Sequence, residues 1–292
     1  KLLSITNIKF MMNLPMYKNF LFKVANPILS RIYSLKNYHK GESCYIFGDG
    51  VSIKWFDLSS FSDKPVISLN KIAFHKQSNF LNLKYSLFIE PFYFYPYFWD
   101  KDKATVKITG KKFFKNNVQT KFRELIKNQK NTTFFTNISN YPVLWNSNIY
   151  YLFQIIDDPD SQFLQECYSK NENIFKGSMR SAISLAIFMG FKEIFLIGCD
   201  YTHEITRSHH WYEKGQGKIL KNLEYQESFF NIATKYAKLT TITLNGKGSI
   251  LPAKTYYEFT GKEPKFRENH DLMITSMLKT LSEDPWYKDT IF

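Results

Sequence analysis

The sequence predicts an α/β fold, a mostly parallel sheet with helices on both faces, on three observations. Short apolar runs end in glycine or asparagine: Cys44 to Phe47 before Gly48, Val66 to Leu69 before Asn70, and Ile194 to Ile197 before Gly198. Uninterrupted apolar strands of this kind suit a parallel sheet covered on both sides. Helical patterns lie between these runs, and strand–helix–strand order is the signature of a doubly wound sheet.

The elements follow in order. Residues 44 to 50 read as a buried strand entering a glycine turn, with 66 to 70 and 86 to 90 as the next two strands. Residues 91 to 99 form an aromatic run around Pro91 and Pro96 and read as a packed loop. A basic helix is expected over 118 to 130, a strand over 132 to 135, and a buried strand over 149 to 156. Ser178 to Met189 has alanine and isoleucine at helical spacing, with Gly190 as its stop. A strand over 193 to 198, a helix over 219 to 238 and a β-branched strand over 240 to 244 complete the pattern. No internal repeat and no interdomain linker is evident.

Composition bounds the function. The 292 residues carry 39 Lys and Arg against 26 Asp and Glu, and 18% are aromatic. That aromatic content excludes a disordered chain. Three cysteines cannot build a disulfide framework or a four-thiolate zinc site, so the chain reads as reduced and cytoplasmic. The positive excess is local. Residues 1 to 41 hold seven Lys and Arg and no acid, and residues 101 to 130 hold ten against Asp102 and Glu124. Such patches suit nucleic acid, an anionic membrane face or an acidic substrate. In the first 35 residues lysines interleave with Phe10, Leu14, Phe20 and Phe22, as in an interfacial helix. An amphipathic helix packed on the domain accounts for the same pattern. No stretch has the roughly 20 apolar residues that span a bilayer.

Two places could receive an anion. Gly48-Asp49-Gly50 follows a strand and precedes Ser52, so its backbone N–H groups could approach a phosphate. It lacks the third glycine of a dinucleotide fingerprint and the ending of a P-loop, and a plain β-turn explains it as well. Gly177-Ser178 opens the best helix, where unpaired N–H groups and the dipole favour an anion and where Arg180 sits in the first turn. A simple serine N-cap is the alternative.

These pieces, in this order, resemble the small bacterial sialyltransferases of the Campylobacter lipooligosaccharide type. The Gly-Asn-Gly-Pro-Ser-Leu turn of that family is matched by Gly48-Asp49-Gly50-Val51-Ser52-Ile53, and its Cys-Asn strand end by Leu69-Asn70. Its helix-start serine and Gly-Tyr-Lys-Glu-Ile-Tyr-Leu-Ser-Gly-Ile-Asp block are matched by Ser178 and by Gly190 to Asp200. The resemblance covers roughly residues 43 to 250 and is specific in these three blocks.

What the resemblance implies is a GT-A-like, Rossmann-type domain with a mobile lid. That domain would transfer sialic acid, or a related nonulosonic acid, from a CMP-sugar donor to a glycan hydroxyl, inverting the anomeric centre without metal or other cofactor. It nominates Gly48, Asp49, Gly50, Asn70 and Ser178 for the nucleotide, and Ser52, Gly177, Arg180, Gly198 and Asp200, in or beside the same blocks, join them as candidates. It also nominates His209 or His210 as general base, with Tyr201 nearby. Domain bounds on this reading are a basic segment over 1 to 42, the transferase domain over 43 to 255 with its lid at about 201 to 218, and an extension over 256 to 292. A lipid-linked acceptor, a peripheral place at the inner membrane face and a homo-oligomer are compatible with it.

The chain also departs from that family. Two tyrosines that donate to the leaving phosphate align with Phe195 and Thr202, so Tyr201, His203, Tyr212 or Arg180 would have to serve instead. Asp49 replaces an asparagine and would repel a phosphate when ionised, which leaves it a ribose or acceptor hydroxyl to bind. Flagellin-modifying accessory proteins share a similar turn and are a second relative. Asp158-Pro159-Asp160 offers a rival chemistry, in which paired carboxylates hold a divalent metal on a UDP- or GDP-sugar. A nucleic-acid binder using residues 101 to 130 is the non-enzymatic alternative, and no binding motif supports it.

Overall fold

The computed structural model describes residues 23–89, 94, 98–100, 105–107, 117–153, 177–221, 227–284 and 287–292. Its centre is an eight-stranded sheet in which every pairing is parallel. The strands are β1 (Ser43–Phe47), β2 (Pro65–Leu69), β3 (Asn82–Phe88), β6 (Thr133–Asn137), β7 (Ile149–Leu152), β8 (Glu193–Ile197), β9 (Lys238–Thr243) and β10 (Ala253–Thr255). The remaining two, β4 (Phe98–Asp100) and β5 (Thr105–Lys107), form a separate antiparallel ribbon. The order across the large sheet is β10-β9-β8-β1-β2-β3-β6-β7. The chain therefore winds outward from β1 in one direction, then crosses to the other side of β1 at β8. The boundary between β1 and β8 is the switch point, where the crevice above the strand ends opens in folds of this class.

Alternate side chains supply two cores. Tyr45, Phe47, Phe134, Phe195, Ile197 and Ile242 face one layer, and Cys44, Ile46, Ile67, Phe135, Ile194 and Leu196 face the other. The first layer is closed by helix α1 (Val118–Asn128), through Val118, Phe122 and Ile126, and by the C-terminal residues Tyr256, Leu272, Met273, Met277 and Leu281. The second is closed by α2 (Ser178–Phe188) and α3 (Glu227–Ala233), which bury Ala182, Ile183, Leu185, Ala186, Phe229 and Phe230. Both faces are dry, so runs such as Glu193–Ile197 carry apolar residues without alternation.

Several boundaries differ from the sequence reading. The helix expected over 219 to 238 is helical at Glu227–Ala233, residues 222 to 226 lie outside the described part, and Ile219 instead bridges Arg207. A β-branched run pulls Lys238 into the strand, since its neighbours β8 and β10 supply ladder partners. Strand β10 was not read at all; at three residues, with Pro252 before it, it has no periodicity to detect. Gly177 rather than Ser178 stands at the N-cap of α2, and no side chain caps that helix. Of the basic N-terminal segment, residues 1 to 22 are outside the described part. The portion at 23 to 35 turns Leu29, Ile32 and Leu35 inward, and Arg31 donates to the Ser147 and Ile149 carbonyls at 2.9 and 3.1 Å. Of the loop read over 91 to 99, Phe98 and Trp99 instead belong to strand β4, paired with β5, and the rest apart from Phe94 lies outside the described residues, as do Asp158 and Asp160. Among the described residues, no helix is long and apolar enough to cross a membrane.

One buried group sets an acid limit. His75 is 1% exposed, and its Nδ1 accepts the Gln77 N–H at 3.0 Å. Burial, reinforced by the charges of Arg267 and Lys76, pushes its pKa down to about 3. Below pH 6.5 the unfolded chain binds a proton that the folded chain refuses, so stability falls as pH falls. His203, lowered by burial, adds in the same sense. In denaturant titrations between pH 6.5 and 4.5, His75→Gln should flatten the loss of stability relative to wild type, by up to about 1.4 kcal/mol per pH unit at the acid end. Parallel curves would show that His75 is not the group responsible.

Candidate active site

The switch point is built by two strand ends that share one space. Past β1, Gly48 N donates to the Ile197 carbonyl and Gly50 N to the Gly198 carbonyl, each at 2.8 Å. The ladder thus runs on beyond both strands. No side chain fits between them: a Cβ on Gly48 would lie 2.4 Å from the Gly198 oxygen, and one on Gly50 would lie 2.4 Å from the Asp200 carboxyl carbon. Gly198 itself has φ of +67° and is closed in by Ile53 and Gly48. The glycines are thus needed first for strand-end packing.

The turn that follows is braced by Asp200, which is 4% exposed. Ser52 N donates to its Oδ2 at 3.0 Å and the Ser52 hydroxyl donates to its Oδ1. This carboxylate caps the 3-10 turn Val51–Trp55. Ser52 and Asp200, both nominated for the nucleotide, are therefore spent on each other. Beside them, at the ends of β1, β8 and β9, a cleft of about 170 Å³ is lined by Ser52, Trp55, Asp200, Arg207 and Asn245 among others.

Asp49 points inward as well. Its side chain accepts from the Trp211 indole N–H at 3.2 Å and from Lys71 N at 3.3 Å, while its carbonyl accepts from Trp211 N at 3.1 Å. Burial pushes the carboxyl up, against the opposing charges of Lys71 and His210 and the indole bond. Gly50 pairs with His210 as an antiparallel bridge. The segment His210-Trp211-Tyr212-Glu213 is thereby stitched onto the glycine turn.

That stitching separates the two histidines. His209 is exposed, with φ of +74°. His210 Nδ1 lies 2.9 Å from Glu213 Oε2, and its ring stacks on Tyr212 at 4.9 Å and 11°. Burial of Glu213 would raise its carboxyl, but the bonds and charge of His210 outweigh that and hold it at about 2. An ionised carboxylate only accepts, so Nδ1 of His210 must donate, and the neutral ring keeps its lone pair on Nε2. The His210 side chain is 49% exposed. A basic nitrogen with a fixed tautomer is what a general base requires.

The other nominated residues are placed as follows. Asn70, at the end of β2, has φ of +44°, and its Oδ1 is buried with no partner among the described residues. Gly177, Ser178 and Arg180 open α2. Gly190, past the other end of α2, accepts from Gly41 N just ahead of β1, so the N-terminus of α2 lies at the same sheet edge as the glycine turn. Tyr201 is 59% exposed. Phe195 packs with Tyr45 and Phe259, Thr202 bonds Thr241, and Tyr212 is buried. Glu213, Trp211 and Lys71 were missed, although the His-x-x-Glu spacing was visible as a local signal. Among the described residues, no group of three or more His, Cys, Asp or Glu could hold a metal.

No protein-family model matches the chain, and no curated protein does. Among solved structures it is similar to the sialyltransferase CstII from Campylobacter jejuni in complex with a substrate analogue, cytidine-5'-monophosphate. There the identity is 14%, the TM-score is 0.43, and 84% of this chain and 99% of that chain are covered. It is also similar to the sialyltransferase CST-II in complex with trisaccharide acceptor and CMP, at 15% identity and a TM-score of 0.40, over 83% of this chain and 100% of that one.

The shared strand-end space gives a direct test. Gly50→Ala should destabilise the protein by about 3 kcal/mol through overpacking against backbone and carboxylate. Thermal unfolding reads this as a lowered Tm, and an unchanged Tm would mean that the two strand ends are not in contact.

Proposed function

We propose that this chain is a glycosyltransferase of sialyltransferase type, acting on a CMP-activated nonulosonic acid and a glycan hydroxyl. The observation that carries the proposal is the His210–Glu213 pair, bonded to the glycine turn at the switch point, with the His210 side chain 49% exposed. The three sequence blocks shared with Campylobacter-type sialyltransferases support the choice of donor.

In this reading the acceptor hydroxyl gives its proton to Nε2 of His210 as its oxygen attacks the anomeric carbon. The bond from that carbon to the CMP phosphate breaks, through an oxocarbenium-like transition state, and CMP leaves from the opposite face. Glu213 holds the imidazole in register and offsets the imidazolium charge that develops. Asn70 Oδ1, which has no partner among the described residues, is assigned to a cytosine amino group or a ribose hydroxyl. The amides at the start of α2, with Ser178 and Arg180, are assigned to the leaving phosphate. Metal independence belongs to this proposal. The basic N-terminal segment is assigned to an anionic membrane face that presents the acceptor.

Calorimetric titration with CMP in EDTA should show binding, and Asn70→Ala should weaken it by about tenfold. Binding of UDP or GDP only with Mn²⁺ would sink the proposal and promote Asp158 and Asp160. His210→Asn should lower kcat by about 10² or more with CMP affinity retained, whereas His209→Asn should leave kcat nearly unchanged. Glu213→Gln should cost about tenfold or more in kcat, and normal turnover would remove it from the mechanism.

A further inference from the structure

The segment that carries His210 is held from a second side, by residues far from it in sequence. Lys71 follows the β2 strand end and is 2% exposed. Its Nζ donates to the hydroxyls of Tyr212 at 3.0 Å and Tyr287 at 3.3 Å, and it lies 4.3 and 4.9 Å from their ring centroids. An ammonium between two aromatic faces and two phenol oxygens fixes both rings. Tyr212 is the ring on which His210 stacks.

Asn269 completes the clamp and is 3% exposed. One amide donates to the Tyr212 carbonyl at 3.0 Å and to the Ile291 carbonyl at 2.9 Å, and its oxygen accepts from His270 N at 2.9 Å. Next to it, Lys214 N donates to the Thr290 carbonyl at 2.6 Å. The backbone on both sides of Glu213 is therefore tied to the C-terminal turn.

We propose that Lys71, Asn269 and Tyr287 are positioning residues for the His210–Glu213 pair, so that the C-terminal turn carrying Tyr287, Thr290 and Ile291 holds that pair in place. Trp211 is pinned to Asp49 on the glycine-turn side, Tyr212 to Lys71 and Asn269 on the other, and His210 and Glu213 flank the pinned pair. Releasing the second side frees the Tyr212 plane and with it the imidazole, and displacements on the order of 1 Å in such a group cost up to about 10² in rate.

The claim rests on His210 as base, and its test separates the two. The ¹⁵N-labelled full chain is examined by long-range ¹H–¹⁵N NMR above the imidazole pKa, with the His210 ring assigned by its loss in His210→Asn. In wild type the ring should show a protonated Nδ1 and a bare Nε2. Asn269→Ala and Tyr287→Phe should show averaged nitrogens. Ile232→Ala, a core truncation in α3 on the opposite face of the sheet, lowers Tm and should leave the ring pattern as in wild type. In hydrolysis of CMP-N-acetylneuraminic acid, Tyr287→Phe should lower kcat by about tenfold with KM within about twofold. Ring nitrogens unchanged in both clamp variants would overturn the proposal even if the enzyme turns over. Absence of turnover in wild type would count against the transferase reading, while the ring pattern still decides the clamp.

Discussion

The site depends on one steric constraint, the contact between the ends of β1 and β8. With a Cβ at Gly48 or Gly50 the two backbones could not close to bonding distance. Because they do close, Asp200 reaches the Ser52 amide and hydroxyl and Gly50 lies against His210. One packing requirement thus fixes a capping carboxylate, a turn and the histidine together. The glycines serve strand packing, and any service to a phosphate comes through the turn that this packing shapes.

Electrostatics then divide the acidic residues by role. Asp49 and Asp200 face donors of the protein itself and act as braces. Glu213 faces a titratable partner, and the pairing keeps it ionised. The difference is one of surroundings, since all three are largely buried. Asp49 takes backbone and indole N–H donors and Asp200 the amide and hydroxyl of Ser52, whereas Glu213 bonds an imidazole directly and so controls where that ring keeps its proton.

The fold was legible because its central strands are continuous apolar runs ending in Gly48, Asn70 and Gly198, and burial on both faces permits no other pattern. The helix read over 219 to 238 was overextended, because the apolar residues near its ends serve a bridge at Ile219 and the strand β9. The site was legible only in part. Gly48, Gly50 and His210 could be nominated, but His209 and His210 could not be told apart. What distinguishes them is the bridge to Gly50 and the bond to Glu213, the first of which joins residues 160 apart in sequence. Asp49 and Asp200 read as ligand contacts, since nothing local shows that a carboxylate will turn toward an indole or a serine hydroxyl elsewhere in the chain. Lys71 and Asn269 had no signal at all, because their partners Tyr212, Tyr287 and Ile291 come together only in the folded chain.

The central claim is that the crevice between β1 and β8 receives a CMP-sugar beside His210. A crystal structure of the protein grown with CMP in EDTA addresses it most directly. The account predicts CMP at the glycine turn, with Asn70 Oδ1 bonded to the nucleoside, the phosphate near Ser178, and His210 Nε2 facing the space where the sugar and acceptor meet. CMP bound away from this edge of the sheet, or a His210 ring with Nε2 tied into the protein, would contradict it.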